Sequence, residues 1–429
     1  MKYCIKGGEI VNPAGEFSGI GDLLLEAGKV VAVGRELPVA DAAIIPAEGK
    51  LVLPGLIDMH CHLREPGRED EETILSGTRA AVKGGFTGVA CMANTQPVAD
   101  SAVVIEYILK KARESGWAKV YPIGAVTKGL KGEELAEMGE MAAAGAVAFS
   151  DDGKTVMNPA VLRSALEYAA LFERPVLLHE EDPKLADAGV MHEGYWSTVL
   201  GLPGIPAIAE DVMLARDLLI VEYTGGRVHF CHLSTTRGVQ LLAEAKRRGL
   251  KVSGEATPHH FTLTDQALES YDTAFRVSPP LRSEEHRDAL RRGLQDGTIE
   301  VIATDHAPHS LEEKHREFAL APTGMIGFET AFSVAWTELV LGGWLSKEQL
   351  VEKLAVNPAR ILNVPGGRLN PGDPADLLIV DPRQEWEVSA ADLISKSKNS
   401  PFIGRKLTGK VETVWVNGIL KLGAAKPVE

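Results

Sequence analysis

The sequence predicts an α/β protein: a (β/α)8 TIM-type barrel with a small β-sandwich domain assembled from both termini. Three observations carry this. Eight short apolar runs alternate with helical or loop segments through the middle of the chain. Both ends are β-rich where the middle is not. Nearly every run finishes in a hydrogen-bonding residue or a residue of metal-ligand type, as barrel strands do at the face that carries active sites.

The N-terminal part reads as short strands broken by glycine turns, at 2–6, 22–26 and 29–33. The C-terminal part resembles it: 376–380 is apolar, 410–417 alternates before an Asn417-Gly418 turn signal, and 419–422 follows. The eight central runs are 56–62, 88–94, 119–127, 146–151, 175–180, 227–234, 251–258 and 300–308. Helical spacing ending near glycine is clearest at 73–84, 133–145 and 237–249. We place a composite terminal domain at 1–54 plus 365–429 and the barrel at 55–364. At 429 residues the chain exceeds one ordinary core, and a barrel of roughly 250 residues plus a second unit fits. A doubly wound open sheet is the rival that strand count alone does not exclude.

Composition narrows the function. Hydrophobic residues make up 45% and charged residues 24%, as in soluble globular proteins. The net charge of −14 disfavours nucleic acid or an anionic membrane as partner, though a local cation cluster still admits an anionic small substrate. Cys4, Cys61, Cys91 and Cys231 form no CxxC pair, so free thiols in a reducing cytoplasm are expected. Met1 to Lys6 lacks the apolar core of a signal peptide, and no run reaches the ~18 apolar residues of a membrane span.

The run endings are His60/His62, Asn94, Thr127, Asp151/Asp152, His179, His232, His259/His260 and Asp305. His60-Cys61-His62 puts two imidazoles on the same side of a strand, because side chains repeat every two residues. An isolated HxH, or a lone strand-end histidine, is more often a hydrogen-bonded rim residue than a ligand. Asp305 changes the balance. It ends an apolar run, where an unpaired carboxylate is costly unless a cation compensates it. Four histidines and an aspartate converging from four strands point to metal, and they are too many for one catalytic zinc with an open position. Two metals bridged by a carboxylate fit better. Asp151 and Asp152 both qualify, and barrel geometry does not choose between them.

The run Asp58-Met59-His60-Cys61-His62-Leu63-Arg64-Glu65-Pro66-Gly67 resembles the first signature of the dihydroorotases. Ala303-Thr304-Asp305-His306-Ala307-Pro308-His309, followed by Lys314, resembles the second, and Gly84 to Thr95 is also similar. The likeness spans the whole chain and is strongest to the bacterial type I branch of the amidohydrolase superfamily. It implies two Zn2+: His60, His62 and Asp305 on the first, His179 and His232 on the second, with Asp152 and a hydroxide bridging. Asp151 becomes a helix cap or a supporting group. Related hydantoinases and allantoinases bridge with a carboxylated lysine, and the stretch 147–152 has none, which favours type I.

The resemblance further implies hydrolysis and formation of a cyclic amide. N-carbamoyl-L-aspartate would close reversibly to (S)-dihydroorotate plus water in pyrimidine (UMP) biosynthesis, with Asp305 as acid and base. Arg64, Asn94 and His309 would bind the substrate carboxylate. The family often has asparagine where Ser278 stands, which puts affinity in question more than reaction type. Gly324 and Gly327, after Pro322, offer a hinge or backbone contacts to the ring. For the charged stretch 309–321, a solvated helix face and a mobile lid remain equal readings. His259, His260 and His306 are assigned hydrogen bonds rather than metal. The alternatives are another cyclic amidohydrolase (hydantoinase, dihydropyrimidinase or allantoinase) and a silent scaffold subunit of an aspartate transcarbamoylase complex. A homodimer is the base-rate expectation.

Overall fold

The computed structural model describes residues 2–38 and 41–423. Five N-terminal strands come first: β1 (Lys2–Ile10), β2 (Gly19–Glu26), β3 (Lys29–Gly34), β4 (Ala43–Pro46) and β5 (Leu51–Pro54). The last three, β16 (Leu377–Glu387), β17 (Lys406–Val416) and β18 (Ile419–Leu422), join the same hydrogen-bonded sheet. Its order is β18-β17-β16-β5-β1-β2-β3, with β4 also on β1. The seam is β5 against β16, where Leu53 opposes Leu378 and Val52 opposes Ile379. Neither terminus completes the sheet alone. Ile5, Leu23, Leu25, Val52, Leu377, Ile379 and Trp415 from both termini pack in one buried cluster.

The barrel strands are β6 (Leu56–Cys61), β7 (Phe86–Cys91), β8 (Lys119–Gly124), β9 (Ala148–Ser150), β10 (Val176–Leu178), β13 (Val228–Phe230), β14 (Val252–Ala256) and β15 (Val301–Ile302). A small parallel pair, β11 (Met191–His192) and β12 (Gly204–Ile205), lies in the segment between β10 and β13. The eight barrel strands match the eight apolar runs and lie side by side in chain order, all parallel. The ring closes where His62 N donates to His306 O at 2.8 Å. Sequential order with closure excludes the doubly wound rival, whose order must reverse at a switch point. Inward side chains Met59, Ala90, Ile123, Ala148, Leu177 and Val301 meet in a dry cluster with Ile361 and Leu362. The barrel interior is thus filled below the strand ends.

The hydrogen-bonded strands are shorter than the runs, so the polar endings fall at or just beyond the ladder, in the βα loops. Two helix expectations match closely. The helix Ile74–Lys83 is capped by Thr73, whose side chain accepts from Ser76 N. The helix Thr236–Arg247 is capped by Thr235. The third starts later than its spacing suggests, at Met138 rather than near 133. The reason is competition for backbone groups: Lys128 N donates to Glu134 O and Ala136 N to Val126 O, both at 2.9 Å, holding that stretch extended. All four cysteines are free and buried. Among the described residues, no helix is long and apolar enough to cross a membrane.

Trp415 is fully buried where strands from both termini meet. Trp415→Ala is expected to lower stability by about 3–5 kcal/mol, read as a lower urea midpoint. A loss below about 1 kcal/mol would contradict a packed core shared by both ends.

Candidate metal centre and substrate cavity

All six side chains expected to bind metal meet at the C-terminal mouth of the barrel. His60, from the end of β6, is fully buried and sets its Nδ1 2.7 Å from Glu255 Oε1. That bond places the proton on Nδ1 and turns Nε2 toward Asp152 Oδ2 at 3.3 Å and Asp305 Oδ1 at 3.5 Å. His62, just past the strand, donates Nδ1–H to Asn94 Oδ1 at 3.0 Å. Its Nε2 lies 3.0 Å from Asp305 Oδ1 and 3.6 Å from Asp152 Oδ2. Across the site, His179 Nδ1 and His232 Nε2 are 3.0 Å apart, at 3.9 and 3.5 Å from the other Asp152 oxygen, Oδ1. Each oxygen of Asp152 therefore faces a different histidine pair.

These spacings suit a cation. Ligand atoms bound tetrahedrally at ~2.0–2.1 Å lie about 3.3–3.4 Å from one another. His60 Nε2 and Asp152 Oδ1, both facing this cluster, are buried and lack hydrogen-bond partners. Electrostatics agree. Burial works against charge on His60, yet Asp152, Glu255 and Asp305 outweigh it and hold its pKa well above that of a free imidazole. Burial likewise pushes the Asp152 carboxyl up, but His60, His232 and His62 hold it well below the ordinary range, and Asp305 is lowered in the same way. The cluster thus keeps its carboxylates ionised and needs positive charge. Cys231 also approaches His60 and Asp152, but burial, reinforced by Glu255, raises its thiol and keeps it protonated.

Supporting residues hold this set, and several were invisible in the sequence. Glu255 bonds His60, His229 Nε2 at 3.0 Å and the backbone N–H of His232 at 3.1 Å. Burial opposes its charge, but His60 and His229 bring its pKa down to about 2. Its one sequence signal was a glutamate inside an apolar run. Asp58 accepts from Thr304 Oγ1 at 2.5 Å and Thr304 N at 3.0 Å, tying the first strand end to the last. Asp151 does not cap a helix; it accepts from Val126 N and Thr127 N at 2.8 and 3.0 Å and pins the loop after β8. His232 and Asp305 have left-handed backbones, φ 29° and 47°, a strain sustained only where the surroundings enforce it.

A cavity of about 360 Å³ opens over the cluster, lined by Arg64, Asn94, Ser278, His309 and Gly324 among others. Arg64 reaches it from an unusual backbone. It lies beyond β6 with φ 61°, and Glu71 Oε2 and Pro308 O hold its Nε at 3.0 and 3.1 Å. Gly324 has φ 132°, and a Cβ there would come within 2.8 Å of Ala307 Cβ and 3.0 Å of His309 Nε2. Pro322 is outside the lining; its carbonyl accepts from Lys314 Nζ at 2.9 Å. Lys314 is buried, and burial brings its pKa down to about 7. In the charged stretch, Lys314 turns inward while Glu312, His315, Arg316 and Glu317 face solvent. Sequence reasoning missed Glu181, which lines the cavity and accepts from Ser278 Oγ at 3.2 Å. It also missed the wall built by the segment between β10 and β13, including Asp187, Val190 and Ile205. His260 bonds Thr257 Oγ1 and Pro279 O at 2.8 and 2.9 Å, and His306 stacks on Phe328 and faces Glu72 at 3.5 Å. His259 Nε2 has no hydrogen-bond partner.

A closed parallel barrel with histidines and aspartates clustered at its strand ends, and a sheet built from both termini, defines an amidohydrolase. L-hydantoinase (dihydropyrimidinase) from Arthrobacter aurescens superimposes with TM-score 0.88 at 25% identity, covering 100% of this chain and 97% of its own. Dihydropyrimidinase from Brevibacillus agri shares the fold, with TM-score 0.85 at 24% identity, covering 100% and 96%. Residues 49–238 match the Dihydro-orotase-like family model. The dihydroorotase of Pelotomaculum thermopropionicum is 56% identical over 409 residues, 95% of this chain and 96% of that protein. That of Acetivibrio thermocellus is 52% identical over 414 residues, 96% and 97%. The chain belongs to the dihydroorotase family.

Because Glu255 orients His60 and the His232 backbone together, Glu255→Gln is expected to weaken any metal affinity of this cluster by about 10–100-fold, measured with zinc as the probe in competition with a chromogenic chelator. Unchanged affinity would show that the cluster does not depend on this support.

Proposed function

We propose that the chain is a zinc-dependent dihydroorotase that interconverts N-carbamoyl-L-aspartate and (S)-dihydroorotate. One observation carries the reading. The same cavity joins a buried imidazole and carboxylate cluster to Arg64 and His309, which lie 3.4 Å apart. Relatives named dihydroorotase at 56% and 52% identity support it. In this reading His60, His62 and Asp305 would hold one zinc, His179 and His232 a second, and Asp152 would serve both. Bound zinc supplies a Lewis acid that brings the pKa of water toward neutrality.

The chain's own groups do the rest. Arg64 and His309 grip the substrate carboxylate, with Arg64 offering its guanidinium fork. Asn94 commits its carbonyl oxygen to His62, so its amide N–H groups are free to donate. Ser278, anchored on Glu181, meets the ring edge with a shorter reach than asparagine. Asp305 takes the proton of the attacking water and delivers it to the ring nitrogen as the amide bond breaks. In reverse, the ureido nitrogen loses its proton to Asp305 as it attacks the carbon of the protonated side-chain carboxyl, and Asp305 returns that proton to the departing hydroxyl, which leaves as water. A carboxylate-binding pair favours this substrate over hydantoin or allantoin. The gathered ligand set favours an active enzyme over a silent scaffold. Four free buried thiols support a cytoplasmic setting.

Chelation is expected to abolish dihydroorotate hydrolysis and zinc to restore it; turnover that survives exhaustive chelation would refute the metal dependence. Asp305→Ala should lower kcat by about 10²–10⁴-fold or more with the far-UV circular dichroism unchanged. A fully active variant would remove Asp305 from the chemistry. In a substrate panel, preference for hydantoin over dihydroorotate would select the other cyclic amidohydrolase reading.

A further inference from the structure

We infer that Glu71 is the positioning residue that sets Arg64 and His309 as one receptor for the substrate carboxylate. The inference rests on the cavity being the substrate site as proposed above. Glu71 lies outside both signature stretches and was not singled out by the sequence. Its carboxylate is 2% exposed and divides between the two groups: Oε2 is 3.0 Å from Arg64 Nε, and Oε1 is 2.8 Å from His309 Nδ1. Arg68 Nη2, at 3.1 Å from the same Oε1, completes the set on the side away from Arg64 Nε and itself pairs with Glu313 at 2.8 Å.

The arrangement has two consequences. First, the guanidinium of Arg64 spends its Nε on Glu71 and Pro308 O, so its Nη groups are the ones presented to a ligand. A buried arginine without a counter-charge is costly, and one wrongly rotated loses its two-pronged grip. Glu71 prevents both. Second, the two ring nitrogens of His309 each face an acceptor: Glu71 Oε1 on one side and Thr323 O at 2.8 Å on the other. Burial and the adjacent Arg64 draw the pKa of the ring below that of a free imidazole against the pull of Glu71, so what Glu71 fixes is the place and orientation of the ring, with Nε2 3.4 Å from Arg64 Nη2. A single acidic side chain thus holds both groups of the receptor in position.

The test uses the full-length enzyme carrying Glu71→Gln, which keeps the shape and removes the charge. KM for dihydroorotate is expected to rise by roughly ten- to a hundred-fold while kcat changes little. In an Arg64→Ala background the same substitution should cost less than it does alone, because part of its effect passes through that residue. An unchanged KM, a matching fall in kcat with unaltered KM, or full additivity with Arg64→Ala would each overturn the inference. A crystal structure of the Glu71→Gln variant tests it without substrate: Arg64 and His309 should leave their places, and both retained in position would refute the role. A wild-type enzyme inactive on dihydroorotate would instead refute the substrate reading, leaving the crystallographic result to decide the positioning role.

Discussion

Two carboxylates buried among imidazoles form the constraint on which the structure depends. Asp152 and Asp305 sit at the barrel mouth out of water, and ionised groups in that setting demand positive charge within a few ångströms. The protein brings four histidines to them and arranges Asp152 so that one oxygen meets His60 and His62 while the other meets His179 and His232. Unpartnered His60 Nε2 and Asp152 Oδ1 lie in this cluster at spacings that suit coordination. The demand for positive charge at this candidate metal centre is thus built into the fold.

The barrel is built to hold that cluster still. The six side chains come from five strand ends, His60 and His62 sharing the first, so their positions depend on strand register. Register is locked by side-chain bonds that cross between ends: Asp58 to Thr304, Asp151 to the loop after β8, and Glu255 to His60, His229 and His232. The filled interior beneath leaves no room for the strands to slide. The strained backbones at His232 and Asp305 persist because these bonds over-determine them. On the open side the chemistry changes from anionic to cationic. Glu71, Arg64 and His309 form a second organised layer suited to a carboxylate, so a single cavity presents both a hydrolytic centre and a charge-selective grip.

Much of this was legible in the sequence because it is encoded in period and position. Fully buried parallel strands read as apolar runs, and all eight runs correspond to barrel strands. Ligand types at run endings exposed the cluster, since few other reasons place His60, His179, His232 and Asp305 there. What stayed hidden was set by tertiary contacts. The stretch before Met138 has helical spacing but pairs its backbone with the loop after β8. Arg64 reaches the cavity from a left-handed backbone that no sequence pattern marks. Glu181 and the wall near Asp187 and Val190 belong to a segment with no strong pattern of its own. Glu71 looks like any loop glutamate until the fold brings His309 beside it, across 238 positions of chain.

The central claim, that Asp152 divides one cavity into two cation sites, is tested most directly by anomalous diffraction at the zinc edge from zinc-loaded crystals. The account predicts two peaks flanking Asp152, one among His60, His62 and Asp305 and one beside His179 and His232. A single peak, or peaks against Cys231 or among Glu71, His309 and Glu313 instead, would contradict it.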